Sequence, residues 1–156
     1  MHIRNVRESD FIACFEIAKR AWPEHERDAV YHLFTKFFQP TCFVWEEGDG
    51  EIVGFLLGFI SQVDSTDAYI HWIVVDPPFQ RKGIASQLYE RFFEAVRRLG
   101  ARRVRLTVAP TNAASLAFHR RAGFEPDVVS GAAEADGVVK NYNGPGRDMC
   151  PFCRPL

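Results

Sequence analysis

Polar and apolar residues alternate from His2 to Arg7, which predicts a first strand over 2–7. Behind Ser9, a favoured capping residue, Phe11, Ile12, Phe15 and Ala18 recur at helical spacing until Pro23 interrupts them. A second helix is expected from Glu26 to Phe38, with Val30, Leu33, Phe34, Phe37 and Phe38 as its buried stripe, and Pro40 ends it. Thr41–Glu46 and Glu51–Gln62 read as strands joined by the turn Gly48-Asp49-Gly50. A further strand runs from Ala68 to Val75 and stops at Pro77 and Pro78. Gly83 opens an amphipathic helix that reaches Leu99, with Gly100 at the C-cap position. Arg102–Val108 is a strand, Asn112 caps a short helix ending before Gly123, and 124–129 is extended. Residues 130–146 read as a loop, with a short strand around Val138 to Lys140, and Asp148–Arg154 as an edge strand weakened by Pro151. The order βααβββαβαββ predicts one α/β (α+β) domain over 1–156, a mixed and mainly antiparallel sheet flanked by helices.

Composition narrows the function classes. The 19 Lys and Arg balance 20 Asp and Glu, for a net charge of −1, where a nucleic-acid binder would carry a basic excess. The 14 Phe, 4 Tyr and 3 Trp require a core and exclude disorder. The longest apolar run, Ile52 to Ile60, is broken by Gly54 and Gly58 and falls well short of the ~20 residues of a membrane span. With no secretory signal visible, a cytoplasmic protein without a membrane partner is expected. Cys150 and Cys153 frame Cys-Pro-Phe-Cys, but no helical pattern follows in Arg154, Pro155 and Leu156, so a helix-supported redox thiol is not expected. Neither Cys14 nor Cys42 has a second ligand at zinc spacing, so thiols and no metal are expected.

The chemistry concentrates in two segments. In the first, the strand ending at Val75 runs through Gln80-Arg81-Lys82-Gly83-Ile84-Ala85 into a helix. Backbone N–H groups converge at such a turn, and the helix N-terminus adds partial positive charge, so the turn is suited to a pyrophosphate. Gly83 permits close approach, Ala85 keeps the helix start uncrowded, and Arg81 and Lys82 add charge at the rim. Neither a Walker loop nor a dinucleotide fingerprint is present. In the second segment Asn112, Ser115 and His119 fall on one helix face, with Leu116 and Phe118 towards the core and Gly123-Phe124 turning into the next strand.

Gln-x-x-Gly-x-Ala at 80–85 and Asn-x-x-Ser continuing to Gly-Phe at 112–124 make the chain resemble the GNAT superfamily of acetyl-CoA-dependent N-acetyltransferases. The resemblance is strong over 41–125, weaker over 1–40 and poor after 130. It implies that Ile73, Val74 and Val75 bond the pantetheine arm of acetyl-CoA. Arg81, Lys82, Gly83, Ile84, Ala85 and Ser86 would hold the pyrophosphate, and Asn112 would contact the cofactor arm. It also implies a sheet splayed between the strands at 68–75 and 102–108, a backbone N–H near Val75 that polarises the thioester, and direct attack by a primary amine.

The departures fall on the catalytic groups. His119 stands where the family places a tyrosine acid, and it is either that acid or a filler against the cofactor. Thr107 replaces a carboxylate base of peptide N-terminal acetyltransferases, and Tyr142 is a conceivable replacement acid. Strand alternation places Tyr69, His71, Ile73 and Val75 on one face, with His71 about 13 Å behind Val75. His71 is therefore a candidate base acting through water, and its position matches one of the paired histidines of arylalkylamine N-acetyltransferases. Glu24, Glu26 and Asp28 are acidic residues suited to attracting a cationic amine, or simply solvated helix-end charges. Arg97, Arg98, Arg102, Arg103 and Arg105 form a basic cluster, largely at a helix C-terminus. Phe34, Phe37 and Phe38 are candidates to line the acceptor pocket. The acceptor would be a small-molecule or protein amine, and the edge strand would permit a homodimer. A catalytically weak CoA-binding sensor or interaction module is the alternative, and a nucleotide enzyme a distant third.

Overall fold

The computed structural model describes residues 1–23, 30–132 and 137–156. Its strands are β1 (His2–Asn5), β2 (Phe43–Glu46), β3 (Ile52–Ile60), β4 (Asp67–Val75), β5 (Arg103–Val108), β6 (Glu125–Pro126) and β7 (Cys150–Pro155). The helices are α1 (Phe11–Ala21), α2 (Val30–Phe37), α3 (Ile84–Arg98) and α4 (Ala113–Arg121). The described part of the chain is thus the expected α/β domain. The sheet order is β1-β2-β3-β4-β5-β7-β6, and every recorded pair is antiparallel except β4 with β5. No described helix is long and apolar enough to cross a membrane.

Two apolar layers cover the sheet. On one face α3 presents Leu88, Tyr89, Phe92, Phe93 and Val96 to Phe43, Leu56, Val104, Leu106, Phe124 and Phe152. On the other, Cys14, Ile17 and Ala18 of α1 and Phe34 of α2 pack on Val44, Phe55, Leu57 and Val74. The stripe expected on α2 is narrower: Phe34 is buried and Phe38 half-buried, whereas Leu33 and Phe37 face solvent. The start of that helix and Glu24, Glu26 and Asp28 lie outside the described residues.

The C-terminal segment corrects the expected edge strand. β7 lies inside the sheet, paired with β5 along Cys150–Pro155 and with β6 at Phe152 and Cys153. Pro151 is tolerated because its carbonyl accepts from the Asp127 N–H, on the side away from β5. A residue in an antiparallel strand aims its N–H and C=O the same way, so the missing donor removes no bond from the β5 ladder. The extended run foreseen at 124–129 stops at Pro126, because the Asp127 carboxylate accepts from the Val129 N–H and the Ser130 hydroxyl and folds the chain into a 3-10 turn. The strand foreseen around 138–140 is a single bridge between Val139 and Met149.

A register shift in β4 overturns the simple alternation. Leu57 pairs with Trp72 and Gly58 with Ile70, so His71 is the extra residue of a bulge. The phase of the strand inverts there. Ala68, Ile70, Ile73 and Val75 belong to the α3 layer, while His71 stacks on Phe34 and Trp72 and Val74 pack in the α1–α2 layer. His71 and Val75 therefore lie on opposite faces.

Opposite the bulge, Gly58 has no room for a side chain: a Cβ would stand 2.5 Å from Phe92 and 2.8 Å from the Tyr69 carbonyl. Its own carbonyl accepts from the buried Thr41 hydroxyl at 2.7 Å and the Cys42 thiol at 3.3 Å. Replacement Gly58→Ala is expected to lower stability by about 1–3 kcal/mol through overpacking against backbone. Chemical denaturation measures it, and an unchanged midpoint contradicts the packing.

Candidate active site

β4 and β5 run parallel and in register for only three pairs, Asp67–Arg103, Ala68–Val104 and Tyr69–Arg105. Beyond these pairs the strands diverge, as expected. Ion pairs pin the closed end. Arg103 bonds Asp67 and, at 2.9 Å, Asp64; Arg105 bonds Asp67 at 3.2 Å and also Asp127. Two arginines of the supposed basic cluster are thus neutralised within the sheet. One rung further, the Tyr69 hydroxyl and the Thr107 hydroxyl share a 3.0 Å hydrogen bond across the start of the gap.

The open side of β4 offers backbone to the gap. The Asp76 N–H bonds the Val53 carbonyl of the β3 side at 2.9 Å. By alternation, the peptide groups of Val75 and Ile73 point away from β3 and into the gap. The Gln80 side-chain amide donates to the Val75 carbonyl at 3.0 Å, tying the turn after β4 to the gap's rim. Val74 points its peptide groups towards β3, opposite Phe55.

That turn has the shape expected of an anion cradle. A 3-10 turn at Pro77–Phe79 leads to Arg81 at φ 61° and Gly83 at φ 81°, both left-handed. Gly83 is the N-cap of α3 and supplies no side-chain cap. The N–H groups from Arg81 through Lys82, Gly83, Ile84 and Ala85 to Ser86 find no acceptor among the described residues. The first turn of α3 carries no acidic residue, so nothing opposes an anion there. Arg81, Lys82, Gly83 and Ser86 are exposed, Ala85 is half-buried, and the Ile84 side chain anchors the helix in the core. At the neighbouring helix, Asn112 is exposed and its side-chain oxygen accepts from the Ser115 N–H at 3.0 Å, capping α4.

The two candidate histidines differ sharply. His71 is half-buried and stacks between Phe34 (ring centroids 5.1 Å) and Trp72 (4.8 Å), and its Nε2 is buried without a hydrogen-bond partner. Burial pushes its pKa below the ordinary value, so the ring is neutral at pH 7. It stands on the stretch of β4 that has left β5, on the α1–α2 face.

His119 is buried among Tyr89, Phe118, Phe124 and Phe152. Its Nδ1 lies 2.7 Å from the Ser115 carbonyl, which only accepts, so Nδ1 carries the proton. Nε2 then accepts from the Tyr89 hydroxyl at 2.7 Å. Burial lowers the His119 pKa, against a smaller upward pull from the Ser115 carbonyl. Both ring nitrogens are engaged, and neither has a proton to offer a leaving group.

Sequence inspection singled out His119 but missed Tyr89, whose apolar helical phase gave no sign of a polar partner. Tyr142, exposed in the late loop, is near enough to Tyr69 to raise that phenol's pKa further, after the larger effect of burial.

The Acetyltransferase (GNAT) family model matches residues 11–124, and the chain belongs to that family. An uncharacterized N-acetyltransferase of Methanocaldococcus jannaschii is 31% identical over 145 residues, covering 83% of this chain and 63% of that relative, so the chain spans under two thirds of its length. The fold matches Ard1 from Thermoplasma volcanium with a TM-score of 0.80 at 24% identity, over 99% of this chain and 97% of that one. It also matches the diaminobutyrate acetyltransferase of Paenibacillus lautus, solved with L-2,4-diaminobutyric acid and coenzyme A, with a TM-score of 0.74 at 20% identity, over 97% and 92%.

The His119–Tyr89 bond generates a stability prediction. His119→Leu leaves a fully buried hydroxyl without an acceptor and is expected to cost about 1–3 kcal/mol. Adding Tyr89→Phe is expected to recover part of that loss in a double-mutant cycle. Additive losses contradict the pairing.

Proposed function

We propose that this chain is an acetyl-CoA-dependent N-acetyltransferase that acts on a primary amine. The observation that carries the reading is the junction of the gap with the cradle: the inward peptide groups of Ile73 and Val75 adjoin the turn whose N–H groups at 81–86 lack acceptors. A pyrophosphate fits that turn, and an extended amide-bearing arm fits the free edge of β4. Acetyl-CoA supplies the acyl group as an activated thioester. Arg81, Lys82, Gly83, Ile84, Ala85 and Ser86 hold the pyrophosphate, chiefly through backbone N–H groups. Ile73 and Val75 bond the arm, with Val74 fixing their register against β3. The amide of Asn112 remains to meet the arm, because its oxygen caps α4. The Val75 N–H is the donor suited to charge developing on the thioester oxygen.

The amine carries the proton question. An alkylammonium near pKa ~10.4 must lose one proton before attack and a second as the amide forms. The C–S bond breaks as the C–N bond forms, the departing sulfur takes up one proton and the other reaches solvent. His71, neutral and on the α1–α2 face, is the base we assign, acting through water. His119 is assigned a structural role instead of the acid role. Its engagement with Tyr89 is also the observation that favours a second reading, a CoA-binding module without turnover.

Acetyl-CoA is expected to raise the melting temperature, and Gly83→Val, forced into a left-handed φ of 81°, to weaken its binding at least tenfold by calorimetry. Binding without transfer to any amine in a thiol-release assay supports the module reading.

His71→Gln is expected to lower kcat at least tenfold with little change in cofactor affinity. Because burial lowers its pKa from 6.5, His71 stays a base through neutral pH, and the acid limb of kcat falls below that value. A limb that persists unchanged in His71→Gln contradicts the assignment.

A further inference from the structure

The α1–α2 face of the gap carries a set of aromatic rings unlike those of the opposite layer. In the α3 layer, Tyr89, Phe92, Phe93, Phe124 and Phe152 are each at most 2% exposed, and only Phe79 and Phe118, at the end beside the turn and α4, are half-buried. On the α1–α2 face, Phe38, Phe59, Tyr69, His71 and Trp72 all keep part of their surface in water, around a buried Phe34. They form one continuous wall. Phe34 meets Phe38 at 5.1 Å and His71 at 5.1 Å, Phe38 meets Phe59 at 5.7 Å, Phe59 meets Tyr69 at 5.5 Å, and His71 meets Trp72 at 4.8 Å. Trp22 of the segment after α1 closes on Trp72 edge-on at 5.9 Å. The wall begins at Tyr69, the last residue of β4 paired with β5, and follows the strand along the opening gap.

Two features say what this wall would receive. The first is its polarity. Among the described residues, the charged groups of the strands beside this face are committed to each other: Asp67 and Asp127 to Arg103 and Arg105, and Asp76 to Arg20 at 2.6 Å. None of these is left to grip a second ammonium or a carboxylate on the acceptor. The second is His71 Nε2, buried within the wall without a hydrogen-bond partner while its ring stacks on Phe34 and Trp72. A buried nitrogen of this kind calls for a hydrogen-bonding partner. An ammonium meets that need through a bridging water, and the exposed ring surface of the wall attracts its charge as well.

We infer that the acceptor is a primary amine one or two carbons removed from an aromatic or other large apolar group, whose body lies on the wall of Phe34, Phe38, Phe59, Tyr69 and Trp72 and whose nitrogen approaches His71. This rests on the acetyltransfer reading above and adds the substrate class to it. The same chemistry occurs in a free arylalkylamine and in a peptide that begins with Phe or Met.

The test is steady-state transfer from acetyl-CoA by the full chain to 2-phenylethylamine, a Phe-leading tetrapeptide, ethanolamine, 2,4-diaminobutyrate and a Ser-leading tetrapeptide. Acetyl-CoA binding is measured in parallel by calorimetry. We expect kcat/KM for 2-phenylethylamine or the Phe-leading peptide to exceed that for the polar amines at least tenfold, and whichever of the two leads identifies the source. Phe38→Ala is expected to shrink the preference to a few-fold, through KM for the apolar acceptor, with Phe38→Leu restoring most of it. Cofactor binding with equal or better use of diaminobutyrate, ethanolamine or the Ser-leading peptide overturns this inference and leaves the acetyltransfer reading standing. Cofactor binding with no transfer to any of the five overturns it too. Failure to bind acetyl-CoA at all overturns both.

Discussion

Two neighbouring parallel strands that stay together for three residues and then part are the constraint on which the site depends. A separation inside a sheet exposes peptide groups that would otherwise be bonded, and such groups are costly unless something else satisfies them. Here the divergence is held by charge at one end and used at the other. Arg103 and Arg105 bind Asp67 at the last paired rungs and reach out to Asp64 and Asp127, so the strands cannot close further or slide. Beyond Tyr69 the edge of β4 is free, and it leads straight into the turn before α3. In the function proposed, one strand thus presents peptide groups to an amide-bearing arm and leads to a helix N-terminus suited to its phosphates.

The bulge at His71 divides the labour between the faces of that strand. Without it, strict alternation would keep His71 on the side of Ile73 and Val75, under α3. The extra residue turns His71 towards α2 while leaving Val75 packed in the α3 layer. On the proposed reading, cofactor-facing backbone and acceptor-facing side chains are therefore drawn from one strand without competing for space. The cost is local: opposite the bulge, only glycine fits at position 58. Burial pushes the pKa of the Cys42 thiol up to about 12.

Much of the fold was legible because periodicity reports burial. The α3 stripe, the strands around Gly48-Asp49-Gly50 and the Gly83 helix start follow from spacing and turn chemistry. The parts that failed involve tertiary partners invisible to local pattern. Strand period two could not reveal a one-residue bulge, which depends on Gly58 beneath Phe92. Pro151 read as an edge signal, yet its missing donor faces away from β5, so β7 sits inside the sheet. Asp127 ended a strand by bonding its own turn while also meeting Arg105. For His119, acid and filler were both open because the sequence showed its helix face but not Tyr89 across from it. The turn into α3 was readable because Gly83 makes its left-handed conformation accessible.

The central claim is that the free edge of β4 and the turn after it together receive the cofactor. Hydrogen exchange of individual amides measures this directly. Without ligand, the N–H groups of Ile73, Val75 and residues 81–86 are expected to exchange rapidly while those of Val74 and Asp76, bonded to β3, are protected. Saturating acetyl-CoA is expected to slow the first set and leave the second nearly unchanged. Protection of Ile73 and Val75 in the free protein, or exchange at 81–86 that acetyl-CoA does not alter, would contradict the account.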